Sequence, residues 1–349
     1  MKLNEIQLTP LLDTLRLEKI TDEIYFSNKY KSYISNSRLG LLNPKQDGSP
    51  EKFFEGNYSN NFSTSLSCGS AVHELTLQPE LFELAPDLEK PTAKLGAMAD
   101  ELFPIFASKG VSKEDIINAS NKVDYYKGKM TEDRINEVIT KCTPYWNERL
   151  KMDLSLDKEL IYLDQKTRET VIFCVNALKE NESVQKLLHP EGLFEEPIIG
   201  NELAILLDVE AKCPNGKTVI LHLKSKLDNF SIDTETNTVT VNDIKTLGRI
   251  LSEFSINVDK YRYNRELGMY CYLLKLCAEK FYNLNSPKIA ANYLVVSTIP
   301  NYYTKVVEVN YNDLKKGFHE FKTLLKYAAY LMCYQDYTLD EQPSKFKFR

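Results

Sequence analysis

Apolar positions along this chain fall into two rhythms. Through 64–188 they recur every three or four residues, whereas through 194–245 they crowd into short Val, Ile, Leu and Thr runs between turn signals. The first rhythm predicts helices. One covers 64–78, opened by Ser63 or Ser65, with Leu66, Gly69, Ala71, Val72 and Leu75 on a packed face and Pro79 as its stop. Others are expected near 93–108, 112–127, 131–151 and 164–188. The second rhythm predicts antiparallel strands at 203–213, 217–230 and 238–245, joined at PNGK (214–217) and DTETN (233–237). A helix returns at 259–280, strands follow at 289–299 and 303–309, and a last helix covers 311–333. Residues 1–62 read as short apolar runs broken by the loops NPKQDGSP and EGNYSNN. This order predicts an α/β protein with a central mixed β-sheet flanked by helices.

Composition narrows the function classes. With 44 Lys+Arg against 49 Asp+Glu the 349-residue chain carries a net charge of −5, which excludes a basic nucleic-acid coat protein. The acidity is uneven: residues 1–215 hold 25 basic against 35 acidic side chains, and residues 216–349 hold 19 against 14. The later half is therefore the part expected to meet a polyanion. No run approaches the 18 apolar residues of a membrane span, so no membrane partner is expected. The start, MKLNEIQLTPLLDTL, lacks a signal peptide's basic and apolar segments, so a reducing, cytoplasmic setting is expected. The seven cysteines include no CxxC pair, which disfavours zinc ribbons and leaves buried thiols as the expectation. Neither GxGxxG, GxxxxGK[ST] nor GxSxG occurs, which argues against Rossmann, P-loop and α/β-hydrolase chemistry.

The stretch that can carry chemistry is KSKLD (224–228) followed by VNDIK (241–245). Strand alternation puts Asp243 and Lys245 on one face, and a hairpin can bring Asp228, at the end of the preceding strand, alongside Asp243. Two carboxylates and an ammonium converging there suit a hard divalent cation such as Mg²⁺ or Mn²⁺, which prefers oxygen ligands. Taken alone, the triplet reads as a solvated strand edge.

Its context is more specific. YISNSRLGLL (33–42), SLSCGSAVHELTLQPELFEL (65–84), KSKLD, VNDIKT, YRYNRELGMYCYLL (261–274) and YLVVSTIPNYYTKVVEV (293–309) together resemble the PD-(D/E)XK nuclease superfamily. Within it they resemble the exonuclease VIII (RecE-like) branch of phages and prophages. The resemblance implies a restriction-endonuclease-like core, with 1–84 and 161–349 forming the core and 85–160 an acidic helical insertion. By position it makes His73, Asp228 and Asp243 the metal ligands, with the Ile244 carbonyl completing the shell, and Lys245 the catalytic lysine. Glu195 or Glu196 is a further acidic candidate. Tyr263, Glu266 and Tyr270 fall on one helix face at the family's Tyr/Gln/Tyr positions, with Glu266 departing from Gln; Arg262 or Lys260 could pair with it. Lys224, Lys226 and Arg262 are candidate phosphate contacts. The implied activity is Mg²⁺- or Mn²⁺-dependent 5′→3′ digestion of linear duplex DNA by a homo-oligomer, beside a single-strand annealing protein. An endonuclease or end-trimming nuclease of the same superfamily, or a non-catalytic binding module on its fold, is the alternative.

Overall fold

The computed structural model describes residues 3–55, 64–85, 90–126, 128, 130–153 and 158–334. Ser63, most of the EGNYSNN loop and the basic-aromatic tail KFKFR lie outside them. In chain order the elements are β1 (Gln7–Lys19), α1 (Asp22–Tyr25), α2 (Asn36–Gly40), α3 (Pro50–Glu55), α4 (Thr64–Leu77), β2 (Phe82–Leu84), α5 (Ala93–Lys109), α6 (Lys113–Lys122), α7 (Glu132–Asp153) and β3 (Glu159–Ile161). There follow α8 (Gln165–Glu180), α9 (Glu182–Leu188), β4 (Ile198–Lys212), β5 (Thr218–Asp233), β6 (Thr238–Leu247), α10 (Phe254–Tyr261), α11 (Tyr263–Phe281), β7 (Lys288–Ser297), β8 (Thr304–Glu308) and α12 (Tyr311–Tyr334).

Two compact units result. The larger joins 1–77 to 173–349, and the smaller spans 78–172. The expected boundaries at 84/85 and 160/161 fall inside the smaller unit. There α5, α6 and α7 close around Met98, Leu102, Ile116, Val138 and Trp146, whose indole donates to the Ala99 carbonyl at 2.8 Å.

The larger unit is built on a six-stranded sheet of order β1-β4-β5-β6-β7-β8. All neighbours are antiparallel except β6 and β7, which run parallel, so the sheet is mixed. PNGK closes the β4–β5 hairpin with Gly216 at φ +85, a conformation glycine adopts without Cβ strain. Asp233 then caps the β5–β6 turn by accepting from the amides of Glu235 and Thr236. The parallel step from β6 to β7 is made through α10 and α11.

One sheet face packs on α11 and α12. Leu221, Leu223, Val239 and Val241 meet Leu267, Leu274, Phe321 and Leu325 in one buried cluster. The two helices approach very closely: a Cβ on Gly317 would lie 1.7 Å from the Asn264 carbonyl oxygen. On the other face Ala204 and Leu206 pack with Ile20, Tyr25 and Tyr30, and α4 lies against β5 and β6.

A polar seam crosses the middle of this sheet. Asn201, Asn229, Asn242 and Asn292 are register partners on β4, β5, β6 and β7. Their amides donate head to tail: Asn292 to Asn242 at 2.9 Å, Asn242 to Asn229 at 2.7 Å, and Asn229 to Asn201 at 2.7 Å. Asn242 also donates to the Leu187 carbonyl at 3.0 Å.

The structure departs from the sequence expectations at several points. β1 was not expected, because QLTPLLDTLRLEK breaks strict alternation and contains Pro10; an edge strand tolerates both, and its register shifts between Leu11 and Arg16. The single helix expected over 164–188 divides at Asn181, whose carboxamide caps α9 at the Val184 amide. The single helix expected over 259–280 divides at Arg262, which adopts φ +58. Two of the seven expected thiols, Cys213 and Cys333, instead form a disulfide across 120 residues, a pairing no local spacing announces.

Candidate active site

The site lies where β5 and β6 part. Their pairing stops at Asn229 and Asn242, so the next residues, Asp228 and Asp243, face each other past the last rung. The free amide of Ile244 is taken by the Asp228 carboxylate at 2.8 Å. Asp228 therefore sits within β5 rather than at the strand end expected from its sequence. The inward side of the strand also reverses here. Leu221, Leu223 and Leu227 reach the main core from odd positions, and Phe230 and Ile232 reach it from even ones. Glu202, opposite this reversal on β4, has φ +52, a left-handed conformation that a side chain adopts at a cost.

Helix α4 brings His73 onto this spot. A Cβ on Gly69, one turn earlier, would lie 3.2 Å from the Thr246 hydroxyl, so the small residue lets α4 close on β6. His73 Nδ1 lies 3.3 Å from Asp228 Oδ2. His73, Asp228 and Glu202 form a group whose ligand atoms all lie within 4.8 Å of one another. Glu202 was not among the sequence candidates, although a signal existed: the hairpin centred on PNGK places 202 opposite 228. Glu195 and Glu196 are instead exposed on the loop before β4, where the Glu195 amide is bound by Glu235 at 2.7 Å.

Asp243, almost fully buried, belongs to an adjoining pair. Its Oδ1 accepts from Lys245 at 3.0 Å; Oδ2 lies 2.8 Å from the same ammonium but makes no hydrogen bond. Lys245 also donates to Glu266 at 3.1 Å and lies 4.6 Å from the centre of the Tyr263 ring. Tyr270 donates to the other Glu266 oxygen at 3.1 Å. Thus Tyr263, Glu266 and Tyr270 do share one face of α11, and that face holds the lysine. Glu266 pairs with Lys245, not with Arg262 or Lys260. Arg262 is bound to Glu320, with Nε 3.1 Å from each carboxylate oxygen.

Two other sequence candidates are engaged internally. Lys224 is buried 4.3 Å over the Tyr25 ring and donates to the Tyr25 carbonyl at 2.7 Å, so it is not a surface cation. Lys226 pairs with Glu202 at 2.6 Å and with Asp22.

The electrostatics follow from crowding acids in a half-dry place. Burial, reinforced by the Glu202 charge, pushes the Asp228 carboxyl up to about 7. Burial also pushes Asp243 up to about 8, against the pull of Lys245. Burial would strip Lys245 of its proton, but Asp243, Glu266 and Asp228 outweigh that and hold it well above its usual value. Glu266 stays below the usual range because the Lys245 charge and the bonds from Lys245 and Tyr270 exceed its burial penalty. Burial and the neighbouring Lys245 keep the His73 imidazole neutral, the form that ligates metals. Two carboxylates and a neutral imidazole whose ligand atoms lie within 4.8 Å of one another fit a hard or borderline divalent cation.

No family model and no curated protein matches this chain. Among solved structures, a protein from Eubacterium rectale whose exonuclease designation is itself provisional superposes with a TM-score of 0.46 and 12% identity, over 89% of this chain and 85% of that one. A likeness that low carries no inference about function.

Proposed function

We propose that this protein is a metal-dependent nuclease that hydrolyses phosphodiester bonds of DNA. The supporting observation is the junction of two clusters across the β5–β6 divergence: His73, Glu202 and Asp228 on one side, Asp243 and Lys245 on the other. His73, Glu202, Asp228 and Asp243 would hold Mg²⁺ or Mn²⁺. When bound, such an ion polarises a phosphoryl oxygen and lowers the pKa of a water. Lys245, kept protonated by Asp243 and Glu266, would stabilise the negative charge that grows on the phosphoryl oxygens as water attacks. Glu266 and Tyr263 fix the direction of that ammonium, and Tyr270 fixes Glu266. The resemblance to exonuclease VIII extends the proposal to linear duplex substrate, 5′→3′ polarity, a homo-oligomer and a single-strand annealing partner.

The test is digestion of linear and circular duplex DNA with Mg²⁺ or Mn²⁺, repeated with Asp243→Ala and Lys245→Ala. Loss of linear DNA alone, abolished in both variants, is the expected result. Nicked circles would instead indicate an endonuclease. Intact DNA in every lane would overturn the enzymatic reading and leave a non-catalytic binding module.

A further inference from the structure

A cleft of about 880 Å³ opens between the Asn43–Lys45 segment, the α10–α11 elbow at Arg262, and the first turns of α12. Its floor is a built charge cluster. The Glu320 carboxylate accepts from Asn43 at 2.9 Å, from Arg262, and from Arg265 at 3.3 Å. Asn43 and Arg265 are themselves buried. Glu320 thus ties together two guanidiniums, of which Arg262 lines the cleft. The walls add Lys45, Lys315 and Lys316, and Asp313 offsets only the last of these, at 3.0 Å. His319 lines the same wall. Lys45, Lys315 and His319 have no ion-pair partner among the described residues. The residues that line the cleft therefore carry four fixed cations, Lys45, Arg262, Lys315 and Lys316, against one acid, Glu320.

We infer that this cleft is a binding track for the phosphodiester backbone of duplex DNA, a surface that deepens, and rests on, the proposed nuclease activity. The kind of anion follows from the cations. Glu320 locks the arginines in place, so they supply field rather than a fork for a single phosphate. The free cations are exposed lysines on long stems, set on two separate elements. Such groups neutralise successive phosphates without reading sequence. Among the described residues, no buried, unpaired donor points into the cleft, as a tight site for a small phosphate would need. The track also begins beside the chemistry. Arg262 lines it, and the next residue, Tyr263, supports Lys245.

The test uses the full chain and a blunt, fluorescent duplex of about 40 base pairs, with binding read by anisotropy in EDTA from low to moderate salt. The triple variant Lys45→Ala/Lys315→Ala/Lys316→Ala is expected to lower the slope of log affinity against log salt by about 2 to 3, roughly one for each phosphate no longer neutralised. The matching Lys→Arg triple should restore it. With Mg²⁺ or Mn²⁺, the alanine triple should raise KM for the duplex while leaving kcat near wild type. An unchanged slope and KM in a protein that cleaves DNA overturns the track and leaves the nuclease reading standing. A wild-type protein that binds duplex with a slope set by these lysines, yet cleaves nothing, supports the track and overturns the nuclease. Binding of inorganic phosphate that competes fully with the duplex at equal concentration would indicate a small-anion pocket and also overturn the track.

Discussion

Asn242 is the link whose removal tests the polar seam most directly. It donates to Asn229 and to the Leu187 carbonyl and accepts from Asn292. Asn229 and Asn242 are wholly buried and Asn292 nearly so. Asn242→Leu keeps most of the volume but strands two acceptors and one donor. A buried polar group deprived of its partner costs about 1–3 kcal/mol, so three give roughly 3–9 kcal/mol. Burying the leucine's extra apolar surface returns about 1–2 kcal/mol. The net expectation is a loss of about 1–8 kcal/mol, a large part of a typical domain's stability. The double variant Asn229→Val/Asn242→Leu should cost less than the sum of the single changes, because their shared bond is removed only once; a coupling of about 1 kcal/mol or more is expected.

The probe must see the right unit. The only tryptophan, Trp146, lies in the smaller unit, so its fluorescence does not report on the sheet. Far-UV circular dichroism in urea, with amide hydrogen exchange followed on β5 and β6, does. A single-variant loss below about 1 kcal/mol, or strict additivity in the double variant, would refute the argument that the seam acts as one hydrogen-bonded chain.

Other parts of the molecule give three more expectations. Glu202→Gln should weaken Mn²⁺ binding at least tenfold by titration calorimetry while leaving the melting temperature within a few degrees of wild type; unchanged affinity removes Glu202 from the ligand set. Burial lowers Lys224 to about 8, so between pH 8 and about 10.4 the unfolded chain holds a proton that the folded chain has released, and stability rises with pH across that window. Below pH 8 the full cost applies, up to about 3 kcal/mol; Lys224→Met should therefore melt higher at pH 7 and lose the alkaline rise, and a lower melting temperature would contradict this. Gly317→Ala should cost at least about 2–3 kcal/mol in urea unfolding, because the new methyl group meets the α11 backbone rather than a movable side chain.

How far the site was legible in the sequence depends on the range of the information. Period-2 alternation alone put Asp243 and Lys245 on one face, and their observed pairing is local. The i, i+3 and i+4 spacing likewise aligned Tyr263, Glu266 and Tyr270, since a helix fixes such neighbours by geometry. Glu266's partner was misjudged because the choice between Lys245 and Arg262 depends on how α11 docks, and on Glu320, 58 residues away, claiming Arg262. Glu202 meets Asp228 only through the register of the whole β4–β5 hairpin, whereas FEEPIIG offers acids that are merely near in sequence. Edge strand β1 escaped because an edge need not alternate or exclude proline. In each case the deciding interaction spans more sequence than a local pattern does.

The same distinction explains the composition. A net charge of −5 argues against a general polyanion coat, yet four acids of the candidate site, Glu202, Asp228, Asp243 and Glu266, belong to that total. Two of them are driven by burial to bind protons more tightly than free carboxylates do, so at neutral pH the folded site is less negative than a count implies. Because these carboxyls are raised in the folded state, the stability that their protonated forms contribute is fully present below about pH 4 and is lost as pH climbs to about 7 to 8. The seam of asparagines beside Asp228 and Asp243 meets a matching requirement: neutral amides can fix four strands in register without adding a charge to a place already crowded with acids. An ionic seam there would compete with Lys245 for Asp243. Neutral register and charged chemistry are thus kept one residue apart on β5 and on β6, which is why their pairing can stop at Asn229 and Asn242 while the acids beyond it remain aligned.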